Sequence, residues 1–264
     1  MYETTYHRAS SVDDAAALFA KGKEAKFLAG GQTLLPVMKQ RLASPSDVID
    51  LGKIKDMIGI EATGAGILIK GATTHYDVAT SDAVKKAIPA LAHLASGIGD
   101  PAVRYRGTIG GSLANNDPAA DYPAAVLALN ATVKTNKRTI AADEFFKGLF
   151  TTALADGEII TGVSFPVPDK AGYAKFRNPA SRFALTGVFV ARAPNGDVRV
   201  AAVGASQNGV MRVGAIEAAL KANWSAGALD SVKVSADGLL SDIHGSADYR
   251  ANLIKVMAQR AVAG

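Results

Sequence analysis

Two short glycine-centred segments, about eighty residues apart, limit what this chain can build more than any other feature. They read Phe27-Leu28-Ala29-Gly30-Gly31-Gln32-Thr33-Leu34-Leu35-Pro36 and Arg106-Gly107-Thr108-Ile109-Gly110-Gly111-Ser112-Leu113-Ala114-Asn115-Asn116-Asp117-Pro118-Ala119-Ala120-Asp121. Glycine belongs where a backbone must turn through positive φ or come close to another group. In the first segment the apolar run from Lys26 predicts a strand. Leu34 to Leu42 predicts a helix, with Pro36 tolerated in its first turn. Strand, Gly-Gly-Gln-Thr and helix together place open backbone N–H groups and the Thr33 hydroxyl where an anion can bind. No Gly-Lys-Ser/Thr follows, and the G-x-G-x-x-G spacing of a nicotinamide site is missing. In the second segment Thr108 and Ser112 flank Gly110-Gly111, so hydroxyls and amides can converge on phosphate oxygens.

Either segment alone is also what a plain turn looks like. Together they suit the diphosphate of a dinucleotide better than any side-chain constellation in the chain, and the chemistry then belongs to the cofactor. Asp117 and Asp121 would repel a phosphate. They suit a ribose hydroxyl or a ring edge, and Asp121 equally suits the N-cap of the helix that follows it.

The rest of the composition mainly excludes. At 264 residues the chain can hold one large domain or two modest ones with full cores, and 48% hydrophobic with 20% charged residues is a globular balance. Cysteine is absent, so there is no disulfide and no thiolate ligand for zinc or an iron–sulfur cluster on this chain. That absence fits a cytoplasmic protein. The first eight residues do not read as a signal peptide. The most apolar stretch, Tyr122 to Val133, is too short for a membrane span and contains Pro123 and Asn130. Net charge is +5, but the basic residues are scattered and lack the interleaved aromatics of a single-strand nucleic-acid binder.

Along the chain, Ser11 caps a first helix with Asp13 and Asp14 in its opening turn. Strands are expected at Val48 to Leu51 and Gly66 to Lys70. Thr74 caps a helix through Val78, and Asp82 to Ala95 reads as helix broken at Pro89. A helix from Asp121 to Leu129, a strand from Ala131 to Lys134 and a strand from Glu158 to Phe165 follow. Pro166 to Gly172 is the best linker. Beyond it, Leu185 to Ala193 and Asp197 to Val203 form a hairpin about Asn195-Gly196. Helices are expected at Ala215 to Leu220 and from Asp248 to Val262. Without regular βαβ alternation, the class is α+β with a boundary near 166–172.

Other chemistry finds little support. His7, His75, His93 and His244 lack metal-ligand spacing, and only His75, in Gly71-Ala72-Thr73-Thr74-His75, adjoins a small-residue turn that can line a site. No Gly-x-Ser-x-Gly elbow occurs. The stripe Leu34, Leu35, Met38 and Leu42 reads as a buried helix face.

With both glycine motifs, the Gly71–His75 turn, Asp117-Pro118-Ala119-Ala120-Asp121, Lys175-Phe176 leading into Phe183-Ala184-Leu185, and the closing Tyr249-Arg250 helix, the chain resembles the FAD-binding middle subunit of the molybdenum hydroxylases. That group includes aerobic carbon monoxide dehydrogenase and the xanthine dehydrogenase family. The resemblance implies a two-lobed FAD domain over residues 1–167 and a smaller α+β domain over 168–264. It implies that Leu28, Ala29, Gly30, Gly31, Gln32, Thr33, Leu34 and Leu35 wrap the diphosphate, completed by Thr108, Gly110, Gly111 and Ser112. Asn115, Asp117 and Asp121 would serve the flavin end or the sugar hydroxyls, and Ile160 and Lys175 the isoalloxazine ring. A cation there stabilises the anionic reduced flavin. Asn115-Asn116 stands where many relatives have His-Ala, and Tyr105 also departs from them.

No base, nucleophile or metal ligand set for substrate oxidation is evident. The resemblance therefore implies electrons arriving from a molybdenum-cofactor large subunit through a small subunit with [2Fe–2S] clusters, in a dimer of heterotrimers. Such a complex would be cytoplasmic or at the inner face of the membrane. The rival reading is a stand-alone FAD-dependent oxidase or reductase on the same fold. It needs a substrate pocket with its own base, and residues 166–264 offer no obvious Tyr/His/Arg cluster. A binding module without redox function would not retain FAD.

Overall fold

The computed structural model describes residues 1–64 and 66–264. Its first lobe is a three-stranded parallel sheet in which Asp47–Asp50 lies between Thr5–Arg8 and Lys26–Leu28. Two helices make the crossovers. Val12–Lys21 is capped by the Ser11 hydroxyl, which accepts from Asp14 N–H, and Leu34–Lys39 follows the first glycine pair. Strand–helix alternation is complete in this lobe once the strand Thr5–Arg8 is added to the elements expected from sequence. The strand at Thr5–Arg8 escaped notice because none of its residues is buried. Ala9, Ala15, Ile49, Leu51, Ile54 and Ile159 close a small core of their own.

The second lobe is a five-stranded antiparallel sheet in the order Ile60–Thr63, Gly66–Lys70, Ile160–Pro166, Thr132–Thr135, Thr139–Ala141. Its central strand arrives last in sequence, so everything between Lys70 and Thr132 is an excursion that returns to the sheet. That excursion is helical: His75–Thr80, Asp82–Ala87, Pro89–Ser96, Pro101–Arg104, Ile109–Asn115 and Tyr122–Ala128. The caps agree with the sequence. Thr74 accepts from Asp77 N–H, and Pro89 opens the third of these helices rather than interrupting it.

The third sheet is an antiparallel meander of Lys170–Arg177, Ala184–Arg192, Val198–Ser206 and Gly209–Arg212. The helices Gly214–Ala222 and Ala247–Ala263 supply one side of its core. Residues Tyr122–Ala128, buried at every position, pack on the other, which explains why that stretch is so apolar. Asn195-Gly196 makes the expected hairpin, with Gly196 at φ +88° and Asn195 Oδ1 accepting from Asp197 N–H. The linker is shorter than predicted. Only residues 167–169 separate the strands, and Lys170 to Gly172 already belong to the meander. Gly172 is needed because the carbonyl end of the last helix lies on it, with Ala261 Cα 3.3 Å from where a Cβ would sit. The core beneath the second lobe runs on without a break into this sheet through Tyr173, Phe189, Ala201 and Val203. Among the described residues, no helix is long and apolar enough to cross a membrane.

Candidate cofactor site

The fold brings the two glycine motifs into contact. A Cβ on Gly30 would lie 2.7 Å from Gly107 Cα and closer still to the Arg106 carbonyl, and one on Gly111 would lie 3.8 Å from Ala29 Cβ. The joint thus depends on Gly30 having no side chain. Gly31 turns the chain at φ +75° and is covered by Leu35. In that conformation an ordinary residue costs about 1–2 kcal/mol.

From Gly30 to Thr33 the backbone N–H groups donate to no acceptor among the described residues, the first loop bond in this region being Leu35 N–H to Gly31 O. Gly30 and Gly31 are half-buried, and Gln32 and Thr33 are exposed. Thr33 stands at the helix start without its hydroxyl capping anything. Unpaired backbone donors are stable only where water or a ligand reaches them. Here they form a run of four consecutive donors left open for one or the other.

The second motif is different, and this corrects the sequence reading of it as an open loop of amides. Ile109–Asn115 is a helix, and its opening N–H groups are already committed. Ile109 N–H goes to Thr73 O, Gly110 N–H to Gly71 O at 2.9 Å, Gly111 N–H to the Thr108 hydroxyl at 3.1 Å and Ser112 N–H to Thr108 O. Gly110 is small because a Cβ would meet Gly71 O at 2.5 Å. Gly111 and Ser112 remain half-buried, toward Ala29 and the first motif.

His75 sits underneath. It is 5% exposed, and its Nε2 would be 2.6 Å from a Cβ on Gly107. Burial, reinforced by the positive charge of Arg104, lowers its pKa to about 4, so the ring is neutral at ordinary pH. Its Nδ1 and the hydroxyl of Tyr122, whose rings lie 5.4 Å apart, are buried without partners among the described residues. Ile160 is likewise a core residue, 5% exposed. The stripe Leu34, Leu35, Met38 and Leu42 is cut short, since the helix ends at Lys39 and Leu42 is 76% exposed.

The acidic residues divide. Asp117 is half-buried, accepts from Ala119 N–H at 2.8 Å, and lines a cavity of about 260 Å³ with Phe183, Leu185 and Arg250. Asp121 does not cap its helix. Its carboxylate is instead 2.9 Å from Lys175 Nζ and accepts from the Tyr173 hydroxyl, with side chains of Asp121 and Lys175 only 4% and 5% exposed. The cap reading of Asp121 is thereby overturned, because two stronger donors from the meander outcompete the helix N–H groups. Lys175 also donates to Gly97 O at 3.0 Å. Asn115 ends the motif helix half-buried. Asn116, at φ +44° and 2% exposed, ties the helix to the 146–152 hairpin through Nδ2 bonds to Gly148 O and Thr151 O.

Tyr173 was not singled out from sequence. The available signal was its position two residues before Lys175 on a strand, which puts both side chains on one face.

Comparison with known proteins places the chain in a family. Residues 2–168 match the family described as FAD binding domain in molybdopterin dehydrogenase. The chain is 37% identical to the nicotine 6-hydroxylase medium subunit of Paenarthrobacter nicotinovorans, over 97% of this chain and 95% of that one. It is 36% identical to the carbon monoxide dehydrogenase medium chain of Afipia carboxidovorans, over 97% and 94% of the two. A solved Cu,Mo-CO dehydrogenase chain superposes with a TM-score of 0.88 at 31% identity, covering 100% of this chain and 98% of that one.

Proposed function

The chain belongs to the FAD-binding family of the molybdopterin dehydrogenases, and we propose that it relays electrons within a molybdenum hydroxylase complex, from an iron–sulfur subunit to a terminal acceptor. It binds FAD and is one subunit of an oxidoreductase. The observation that carries the site assignment is the row of N–H groups at Gly30 to Thr33, without an acceptor among the described residues, beside a second motif that leaves room at Gly111. Such a row suits a diphosphate and has no evident use within the fold.

When bound, FAD supplies the redox chemistry, taking up and releasing electrons. The chain supplies binding and electrostatics. The amides of residues 30–33 hold the diphosphate, flanked by Leu28, Ala29, Leu34 and Leu35, with the Thr33 hydroxyl adding a donor. Thr108, Gly110, Gly111 and Ser112 set the facing wall, mainly through shape. Asn115, Asp117 and the Asp121–Lys175 pair define the flavin end, and Lys175 places a cation there. His75 and Ile160 support this site from the core. We place the boundary between domains at 167/168, as supported by the extent of the family match and the start of the third sheet.

Relatives named for substrates as different as nicotine and carbon monoxide share this subunit. That supports leaving substrate choice to a molybdenum-bearing large subunit, with a [2Fe–2S] small subunit as the donor and a dimer of heterotrimers as the assembly. Purification from the native host through a tag on this chain tests the reading. The expected result is flavin absorbance with co-purifying iron, molybdenum and two companion chains. Flavin with neither metals nor companions would instead indicate a stand-alone flavoenzyme.

A further inference from the structure

The strand Lys170–Arg177 lies outside both glycine motifs, yet three of its alternate side chains reach the segment that carries the second one. Tyr173 donates to Asp121 Oδ1. Lys175 Nζ lies 2.9 and 3.1 Å from the two carboxylate oxygens and 3.0 Å from Gly97 O. Arg177 donates to the same Gly97 carbonyl at 3.0 Å. Tyr173 is 7% exposed. Room for its hydroxyl is made by Gly187, which pairs with Lys175 on the next strand: a Cβ there would be 2.6 Å from Tyr173 Oη.

A buried ion pair is often no more stabilising than apolar packing of the same volume. Stability alone therefore gives no reason for an Asp–Lys–Tyr cluster at this spot, whereas fixing a charge beside a redox group does. We infer that Tyr173 is a positioning residue of the flavin site, holding the Asp121 carboxylate and through it the Lys175 ammonium in place. This rests on the FAD reading above. With Tyr173 present, Asp121 Oδ1 has two donors and its carboxylate plane is fixed. Without the hydroxyl the carboxylate keeps only Lys175, and the charge it presents to the ring becomes more negative and less fixed. A less positive surrounding disfavours the anionic reduced flavin.

The test is Tyr173→Phe in the assembled complex, reading the flavin midpoint potential by spectroelectrochemistry, FAD retained on dialysis, and the melting temperature. The expected result is a lower potential and roughly tenfold weaker retention, the scale of one hydrogen bond to a charged group. Lys175→Met should shift the potential further in the same direction. Gly187→Ala displaces the Tyr173 hydroxyl while deleting no polar group, and it should reproduce the Tyr173→Phe shift. It also carries the test if Tyr173→Phe does not fold. An unchanged potential and unchanged retention in these variants, whatever happens to the melting temperature, would overturn the inference. A wild-type complex without FAD would overturn the cofactor reading instead.

Discussion

Gly30-Gly31 precedes a short helix and Gly110-Gly111 lies in the first turn of one, and the backbone around the two pairs is in opposite states. At the first pair the N–H groups of residues 30–33 have no acceptor among the described residues. At the second, the N–H groups of residues 109–112 are all bonded, to the 71–73 turn and to Thr108. The first pair is small so that the chain can turn and touch Arg106-Gly107, leaving donors over. The second is small chiefly so that a helix can start against Gly71. Identical residue vocabulary therefore leaves backbone donors open in one place and serves backbone packing in the other, and the fate of the N–H groups distinguishes them.

The largest effect should come from adding a methyl where the motifs rest on other backbone. Gly110→Ala meets the Gly71 carbonyl at 2.5 Å. It should cost about 1–3 kcal/mol, seen as a lower melting temperature with and without FAD alike. If Gly110→Ala melts like wild type, the packing role of the second motif is wrong. Next, Gly31→Ala forces an L-residue to φ +75° and should cost about 1–2 kcal/mol while also misdirecting the donor row. Differential scanning calorimetry alongside FAD content reads both losses.

Thr33→Val sharpens the comparison from the other side. Its hydroxyl caps nothing, so the FAD-free melt should stay put while FAD retention falls by about 1 kcal/mol, one ordinary hydrogen bond. A drop in the FAD-free melt would show an internal role for Thr33. One further effect is remote from both motifs. Arg138, with the Ala155 N–H and the Thr135 hydroxyl, holds the buried Glu158 carboxyl at a pKa of about 2, below its ordinary 4.5. The folded state thus binds fewer protons here than the unfolded chain. The stability from Glu158 is complete above about 4.5 and is lost as pH falls toward 2. Glu158→Gln should flatten that part of the acid-melting curve without altering FAD retention.

Much of this was legible in the residues. Caps at Ser11 and Thr74, the helix break at Pro89 and the Asn195-Gly196 hairpin follow from local chemistry that tertiary structure did not override. The strand Thr5–Arg8 was missed because edge pairing with Asp47–Asp50 leaves it exposed, with no apolar pattern to read. Leu42 looked like part of a buried stripe, but the helix stops three residues earlier. Both glycine motifs stood out in the sequence, while the difference between their backbones did not, since it depends on the Gly71–Thr73 turn accepting the second motif's amides. Asp121 looked like a cap because its true partners, Tyr173 and Lys175, lie more than fifty residues away on another sheet.

Hydrogen–deuterium exchange of the complex, with FAD present and after its removal, tests the central claim most directly. Amides of residues 30–33 should exchange fast without FAD and become protected when it is restored, while those of residues 109–112 stay protected throughout. Protection that appears at 109–112 only with FAD, or exchange at 30–33 that FAD leaves unchanged, would contradict the account.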